Sequence, residues 1–200
     1  KRHSFPTRRS SDLVLGARQV GKTTLAREVA RRFKPPLTWL DLESLADQTR
    51  LAEPLAALRD LRGLVVVDEV QRRPDLLPVV RELAARPRRP ARFLLLGKPS
   101  PDLLRRGAEA LGDRAAWHEL GGFSLAEVGA EELERLWLRG GLPRSFLAQA
   151  HAASAAWRRD YLEAFLERDL PQLGVGVPLA SLRALWKAIA RQSGQLWRPK

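Results

Sequence analysis

From Lys22 to Phe33 the apolar residues Leu25, Val29, Ala30 and Phe33 recur at helical spacing, and Pro35-Pro36 ends the run. Before it, Leu13-Val14-Leu15 reads as the stub of a buried strand that runs into a turn at Gly16; after it, Leu37–Leu42 is a second strand. Glu43–Arg62 is polar with helical periodicity, interrupted at Pro54. Leu64-Val65-Val66-Val67 and Phe93-Leu94-Leu95-Leu96 have no polar alternation, the pattern of strands covered on both faces. Asp75–Arg86 and Asp102–Leu111 fill the gaps as helices, and Ala115–Leu120 is a fifth strand. Strand and helix alternate to about residue 121, which predicts parallel strands joined by right-handed crossovers. Beyond Gly121 the strand signal vanishes. Leu125–Leu138, Ala153–Leu170 and Leu179–Gln192 read as helices of a small second domain, broken by Gly140-Gly141-Leu142-Pro143 and by Pro171 through Pro178.

Two hundred residues suffice for one domain with a full core, or for one domain plus a small appendage. A hydrophobic content of 44% and a charged content of 29% describe a water-soluble globular chain. Thirty-five Lys and Arg against 23 Asp and Glu give a net charge of +12, which draws polyanions such as nucleotides and nucleic acid. The excess is spread along the chain, which weakens a nucleic-acid reading. The absence of cysteine excludes disulfides, thiol catalysis and cysteine-ligated metal, and His3, His118 and His151 show no metal-ligand spacing. No apolar run approaches the roughly 20 residues needed to cross a bilayer. Nor does the start carry a signal-peptide apolar region, so a reducing cytoplasm and no membrane partner are expected. The stretch Phe5–Leu13 looks like translated adapter sequence, so residues 1–12 are expected to be non-native or a disordered basic arm.

Gly16-Ala17-Arg18-Gln19-Val20-Gly21-Lys22-Thr23 matches the P-loop pattern G-x-x-x-x-G-K-[ST] between a strand and a helix. Such a loop aims backbone N–H groups into one concavity that suits phosphate. Gly16 and Gly21 permit the turn and the approach of backbone to phosphate oxygens, Lys22 brings charge to the β- and γ-phosphates, and the Thr23 hydroxyl can coordinate Mg²⁺. At the end of the next buried run stand Asp68, placed to hold the same ion, and Glu69, placed to polarise an attacking water. The chain has no asparagine, hence no Asn-Lys-x-Asp guanine-reading motif, and adenine is favoured. The expected fold is therefore α/β: a three-layer P-loop NTPase fold with a parallel five-stranded sheet over residues 13–121, then a helical lid over 122–200.

Leu15–Leu25, Val67-Asp68-Glu69-Val70-Gln71-Arg72, Gly97–Leu103, Leu138–Phe146 and Leu166-Glu167-Arg168-Asp169-Leu170 together resemble a prokaryotic AAA-type ATPase family. Its members pair an N-terminal AAA domain with a nuclease-like C-terminal domain of unknown function. The resemblance implies a sheet with the P-loop strand central, then a helical lid and a winged helix, with this chain stopping where the winged helix should begin. It implies Mg²⁺-dependent binding of ATP through Gly16–Thr24 and hydrolysis with Lys22 and Glu69 as catalytic residues. Thr23, Thr24 and Asp68 complete that site. Lys98 stands where the family has a small polar residue that senses the γ-phosphate, so it either supplies charge there or leaves the role to Ser100, with a solvated loop lysine as the alternative. Arg114, Arg144 and Arg168 match family blocks and are candidates for stabilising transition-state charge, with a surface or ion-pair role as the alternative. Gln71 is placed to bond water or Glu69, or else to cap the loop; Arg72 and Arg73 are placed to cap the following loop; and Trp137, Trp157, Trp186 and Trp197 are expected to fill the lid core, with a partner surface as the alternative. A nucleotide-binding switch with little hydrolysis and a DNA-associated ATPase remain as alternative functions.

Overall fold

A computed structural model describes residues 11–34, 36–86, 91–172, 174–192 and 194–195. The chain divides into two compact units, Lys1–Pro143 and Arg144–Lys200. The first holds one parallel sheet of β1 (Ser11–Leu15), β2 (Leu37–Asp41), β3 (Gly63–Asp68), β4 (Ala91–Gly97) and β5 (Ala115–Glu119), in the order β2-β3-β4-β1-β5. The P-loop strand β1 is thus interior, between β4 and β5, but the middle place belongs to β4 and not to β1 as expected.

The unalternating runs in β3 and β4 are explained by a helix layer on each face. Leu64 and Val66 of β3 and Leu94 and Leu96 of β4 face α1 (Lys22–Ala30), where they pack with Val14, Ala26, Val29 and Ala30. The alternate residues Val65, Val67, Phe93 and Leu95 join Leu13 and Leu15 on the other face. There they meet the helices α3 (Pro54–Leu58), α4 (Leu76–Ala84) and α5 (Pro101–Leu111), while α2 (Leu45–Arg50) follows β2. This is the three-layer α/β arrangement the sequence pattern predicts.

Residues Ser11 and Asp12, expected to lie outside the fold, are buried members of β1. They pair in register with Phe93 and Leu94 on one side and Ala115 and Ala116 on the other. Backbone ladders do not depend on side-chain identity, and Asp12 also meets His118 Nε2 at 2.8 Å. Residues 1–10 of the expected arm lie outside the described residues.

The first unit continues past Gly121 through α6 (Leu125–Val128) and α7 (Leu133–Arg139). The expected single helix Leu125–Leu138 is two, because Gly129 adopts φ +92° between them. The Phe123 N–H donates to the Gly141 carbonyl at 2.7 Å and closes this segment on itself. Trp137 is 88% exposed on α7 and contributes to no core, contrary to expectation. At the seam is α8 (Pro143–Phe146); α9 (His151–Ala164), a π-helical turn Phe165–Asp169, α10 (Leu170–Gln172) and α11 (Leu179–Arg191) build the second unit. Trp157, Tyr161 and Phe165 stack in sequence at centroid distances of 5.0 and 6.5 Å, and Trp186 meets Phe165 at a tilt at 5.6 Å, giving that unit its aromatic spine. Trp197 lies outside the described residues.

Candidate phosphate-binding site

Parallel strands bring all their carboxyl ends to one edge, and the candidate residues gather there. Leu15 lies in register with Gly97 and Glu119, and Asp41 with Asp68. The chain leaves β1 through Gly16, whose N–H donates to the Gly97 carbonyl at 3.2 Å. A Cβ on Gly16 would stand 2.5 Å from the Leu120 carbonyl oxygen, so glycine is demanded here by a neighbouring strand end. Gln19 and Gly21 take left-handed backbone at φ +59° and +109° and turn the loop into α1. Val20 is buried and anchors the loop, while Ala17, Gln19 and Thr24 are exposed and Arg18 is half-buried.

Lys22 is 6% exposed, and its ammonium donates to the Gly16 carbonyl at 2.9 Å and the Ala17 carbonyl at 3.0 Å. These two carbonyls fix the ammonium at the loop that follows β1. Thr23, the next residue, donates its hydroxyl to Asp68 Oδ2 at 2.8 Å. The structure thus joins the hydroxyl and the carboxylate, which the sequence separates by 45 positions.

Asp68 Oδ1 accepts the Glu69 N–H at 3.0 Å. Burial pushes the Asp68 carboxyl above the usual range, opposed by the Thr23 and Glu69 hydrogen bonds and reinforced by the charges of Glu69 and Asp41. A hard divalent cation beside these oxygens would relieve that cost, so the hydroxyl–carboxylate pair fits Mg²⁺.

Glu69 sits at φ +58°, an uncommon conformation for a non-glycine residue. Backbone strain of this kind concentrates at functional sites. Its Oε2 accepts from Gln71 Nε2 at 2.5 Å and lies 3.5 Å from the Lys98 ammonium. The Gln71 amide also accepts the Lys98 N–H through Oε1 at 2.9 Å. One side chain therefore spans the ends of β3 and β4, tying the carboxylate of Glu69 to the backbone of Lys98. Sequence reasoning allows a Glu69 contact for Gln71 but misses the second half of the bridge, because Lys98 is 27 residues away. It also misses Asp41, although β2 and β3 both visibly end on aspartate.

Other candidates are placed elsewhere. The Ser100 hydroxyl accepts the Leu103 N–H at 3.2 Å and caps α5. Arg114 is exposed and precedes β5, so it stands at the amino edge of the sheet, opposite the P-loop. Its carbonyl accepts from Ser11 Oγ at 3.4 Å, at the start of β1. Five residues of strand, about 16 Å, separate it from the loop, so it does not serve this chain's own phosphate site. Arg144 is exposed in the second unit. Arg168 is exposed while its neighbour Asp169 is buried. Arg72 pairs with Glu43 at 3.2 Å, and Arg73 forks onto Asp75 and reaches the Leu51 carbonyl at 3.3 Å, fastening the loop before α4.

Among the described residues, no helix is long and apolar enough to cross a membrane, and no group of three or more His, Cys, Asp or Glu side chains forms a metal cluster.

Residues 8–129 match the family model of an AAA domain, and residues 130–200 match a domain of unknown function, DUF8612. Over 185 residues the chain is 50% identical to the uncharacterized proteins Mb2031c of Mycobacterium bovis and Rv2008c of Mycobacterium tuberculosis. The match covers 92% of this chain and 42% of each relative, so the chain spans less than half the length of the curated relatives it matches. Among solved structures it is similar to the Aeropyrum pernix ORC1 protein in complex with DNA, with a TM-score of 0.47 and 14% identity over 92% of this chain and 67% of that one. It is also similar to the P-loop NTPase domain of a sigma-54 transport activator from E. coli, with a TM-score of 0.38 and 15% identity over 55% and 82%.

Proposed function

The chain belongs to the AAA domain family, and from that premise we propose that it binds Mg²⁺·ATP at Gly16–Thr24 and hydrolyses it. The observation that carries this reading is the 2.8 Å contact between the Thr23 hydroxyl and Asp68 Oδ2. Two motif residues far apart in sequence meet beside a buried lysine. Thr23 and Asp68 would hold Mg²⁺, which would supply positive charge to the bound triphosphate. The loop N–H groups and Lys22 grip the phosphates. Glu69 orients the attacking water and accepts its proton, with Gln71 fixing the carboxylate. Lys98, 3.5 Å from Glu69, is the cation nearest that step among the ion pairs of this edge.

The test is phosphate release by the purified chain. We expect Mg²⁺-dependent turnover of ATP that falls about 10²-fold or more in Glu69→Gln, with nucleotide binding retained. Equal release from the variant removes Glu69 from the reaction. One observation favours a second reading, a nucleotide switch with slow turnover: Glu69 is already engaged by both Lys98 and Gln71. Tight Mg²⁺·ATP binding with negligible release from the unaltered chain decides for the switch.

A further inference from the structure

The edge of the sheet away from the P-loop gathers cations. The α1 helix runs back from the loop and delivers Arg32 and Lys34 to that edge. The Leu64 N–H donates to the Pro36 carbonyl at 3.1 Å, which sets Lys34 and Pro36 beside Arg62 and the start of β3. Leu64 is in register with Arg92 on β4, so Arg92 occupies the neighbouring strand. Arg59 and Arg86 flank a small dent that reaches Ala91 and Phe93, and Arg86 donates to the Arg59 carbonyl at 3.1 Å. Lys34, Arg59, Arg62 and Arg92 are exposed and Arg86 is half-buried. Asp60 pairs with Arg59 at 3.2 Å. Among the described residues no carboxylate lies within ion-pair distance of Lys34, Arg62, Arg86 or Arg92.

Several arginines on the helices of this unit are matched instead. Arg105 and Arg106 pair with Asp102 and Glu109 on α5, and Arg31 pairs with Glu28 on α1. Gathering unmatched cations on one edge costs the fold self-repulsion, which a polyanion removes. We propose that this edge binds the phosphate backbone of duplex nucleic acid. The cations bridge β2 to β4, two inter-strand spacings or about 10 Å. That length of B-form duplex axis carries about six phosphate charges, a fair match for this group of cations. The chemistry selects duplex over single strand because, among the described residues, no exposed aromatic ring stands with these side chains; Phe33 is half-buried against the core beside α1. Phe93, the ring beneath them, is 2% exposed, and the half-buried Trp39 lies under the Arg27 guanidinium at 5.8 Å. No helix projects from the group into a groove, so the binding is to phosphates and indifferent to sequence.

The experiment is fluorescence anisotropy of the full chain with a labelled DNA duplex of mixed sequence, titrated at several KCl concentrations. The unaltered chain is expected to show affinity falling linearly in the log–log plot. The Arg62→Gln/Arg92→Gln chain should have a shallower slope, by about 0.9 for each phosphate it no longer neutralises. The Arg105→Gln/Arg106→Gln chain, which gives up the same formal charge from paired positions, should keep the original slope. An unchanged slope in Arg62→Gln/Arg92→Gln overturns the assignment, as does tighter binding of a single strand than of the duplex. So does a change in that variant's self-association by sedimentation with its DNA affinity intact, which would make the edge a site for an acidic protein surface. A Mg²⁺·ATP melting shift measured on the same preparations reports the nucleotide site separately, so failure of either assignment is visible without the other.

Discussion

Replacing Asp68 with asparagine should raise the stability of the nucleotide-free chain and lower its response to Mg²⁺·ATP. Asparagine has the same shape and keeps both hydrogen bonds: Oδ1 accepts the Glu69 N–H, and Nδ2 donates to Thr23 Oγ1, reversing the present donor. What the substitution removes is a charge that burial penalises, made worse by Glu69 and Asp41. Because the folded-state pKa lies above the unfolded value of 3.8, protonated Asp68 is well tolerated below that value. Stability from this group is lost as pH rises through the raised pKa, and the loss persists at neutrality. Removing a buried charge of this kind is worth on the order of 1 kcal/mol, or about 2–4 °C in Tm for a chain of this size. With ligand the order should invert. Saturation at about 100-fold above Kd adds ~2.7 kcal/mol, or ~5–11 °C. A tenfold weaker Mg²⁺·ATP complex forfeits about 1.4 kcal/mol of that. Differential scanning fluorimetry across pH 4–8, with and without Mg²⁺·ATP, reads both effects. The unaltered chain should approach the variant's apo Tm on acidification. A variant that melts lower without ligand at pH 7, yet shifts as far with it, refutes both the buried-charge argument and the metal assignment.

Gly16→Ala places a methyl 2.5 Å from the Leu120 carbonyl oxygen; overpacking against backbone should cost about 1–3 kcal/mol, seen as a lower urea midpoint of the apo chain. Gln71→Ala leaves the Lys98 N–H and Glu69 Oε2 without their shared partner. Steady-state kinetics should then show kcat reduced about tenfold with KM little changed, since Gln71 positions a reacting group and does not touch the loop that grips phosphate; a rise in KM alone would place its role in nucleotide binding.

The core of the fold was legible because its signals are local. The Val65-Val66-Val67 run, the P-loop spacing and the helical periodicity after Lys22 each occupy one short window, and each reappears in the structure within a few residues. What stayed illegible depends on neighbours that only folding supplies. Ser11 and Asp12 carry no apolar signal, yet the ladders of β4 and β5 take them in. Gly129 breaks a helix whose apolar pattern runs straight through it. Arg114 has the residue type of a transition-state arginine, but its place before β5 puts it on the far edge of the sheet. Gln71 bridges to Lys98 only because β3 and β4 are adjacent. Trp137 shows the reverse failure: helical spacing among other apolar residues suggested a core position, and the ring is exposed.

The most direct measurement is the melting temperature of the chain as Mg²⁺·ATP is titrated, set beside a Lys22→Ala copy. Lys22 is a buried cation whose ammonium donates to the loop carbonyls of Gly16 and Ala17. The account predicts a saturable, Mg²⁺-dependent rise of several degrees, about 5 °C or more, that Lys22→Ala abolishes. An unaltered chain whose Tm does not move, or a Lys22→Ala chain that moves equally, contradicts it.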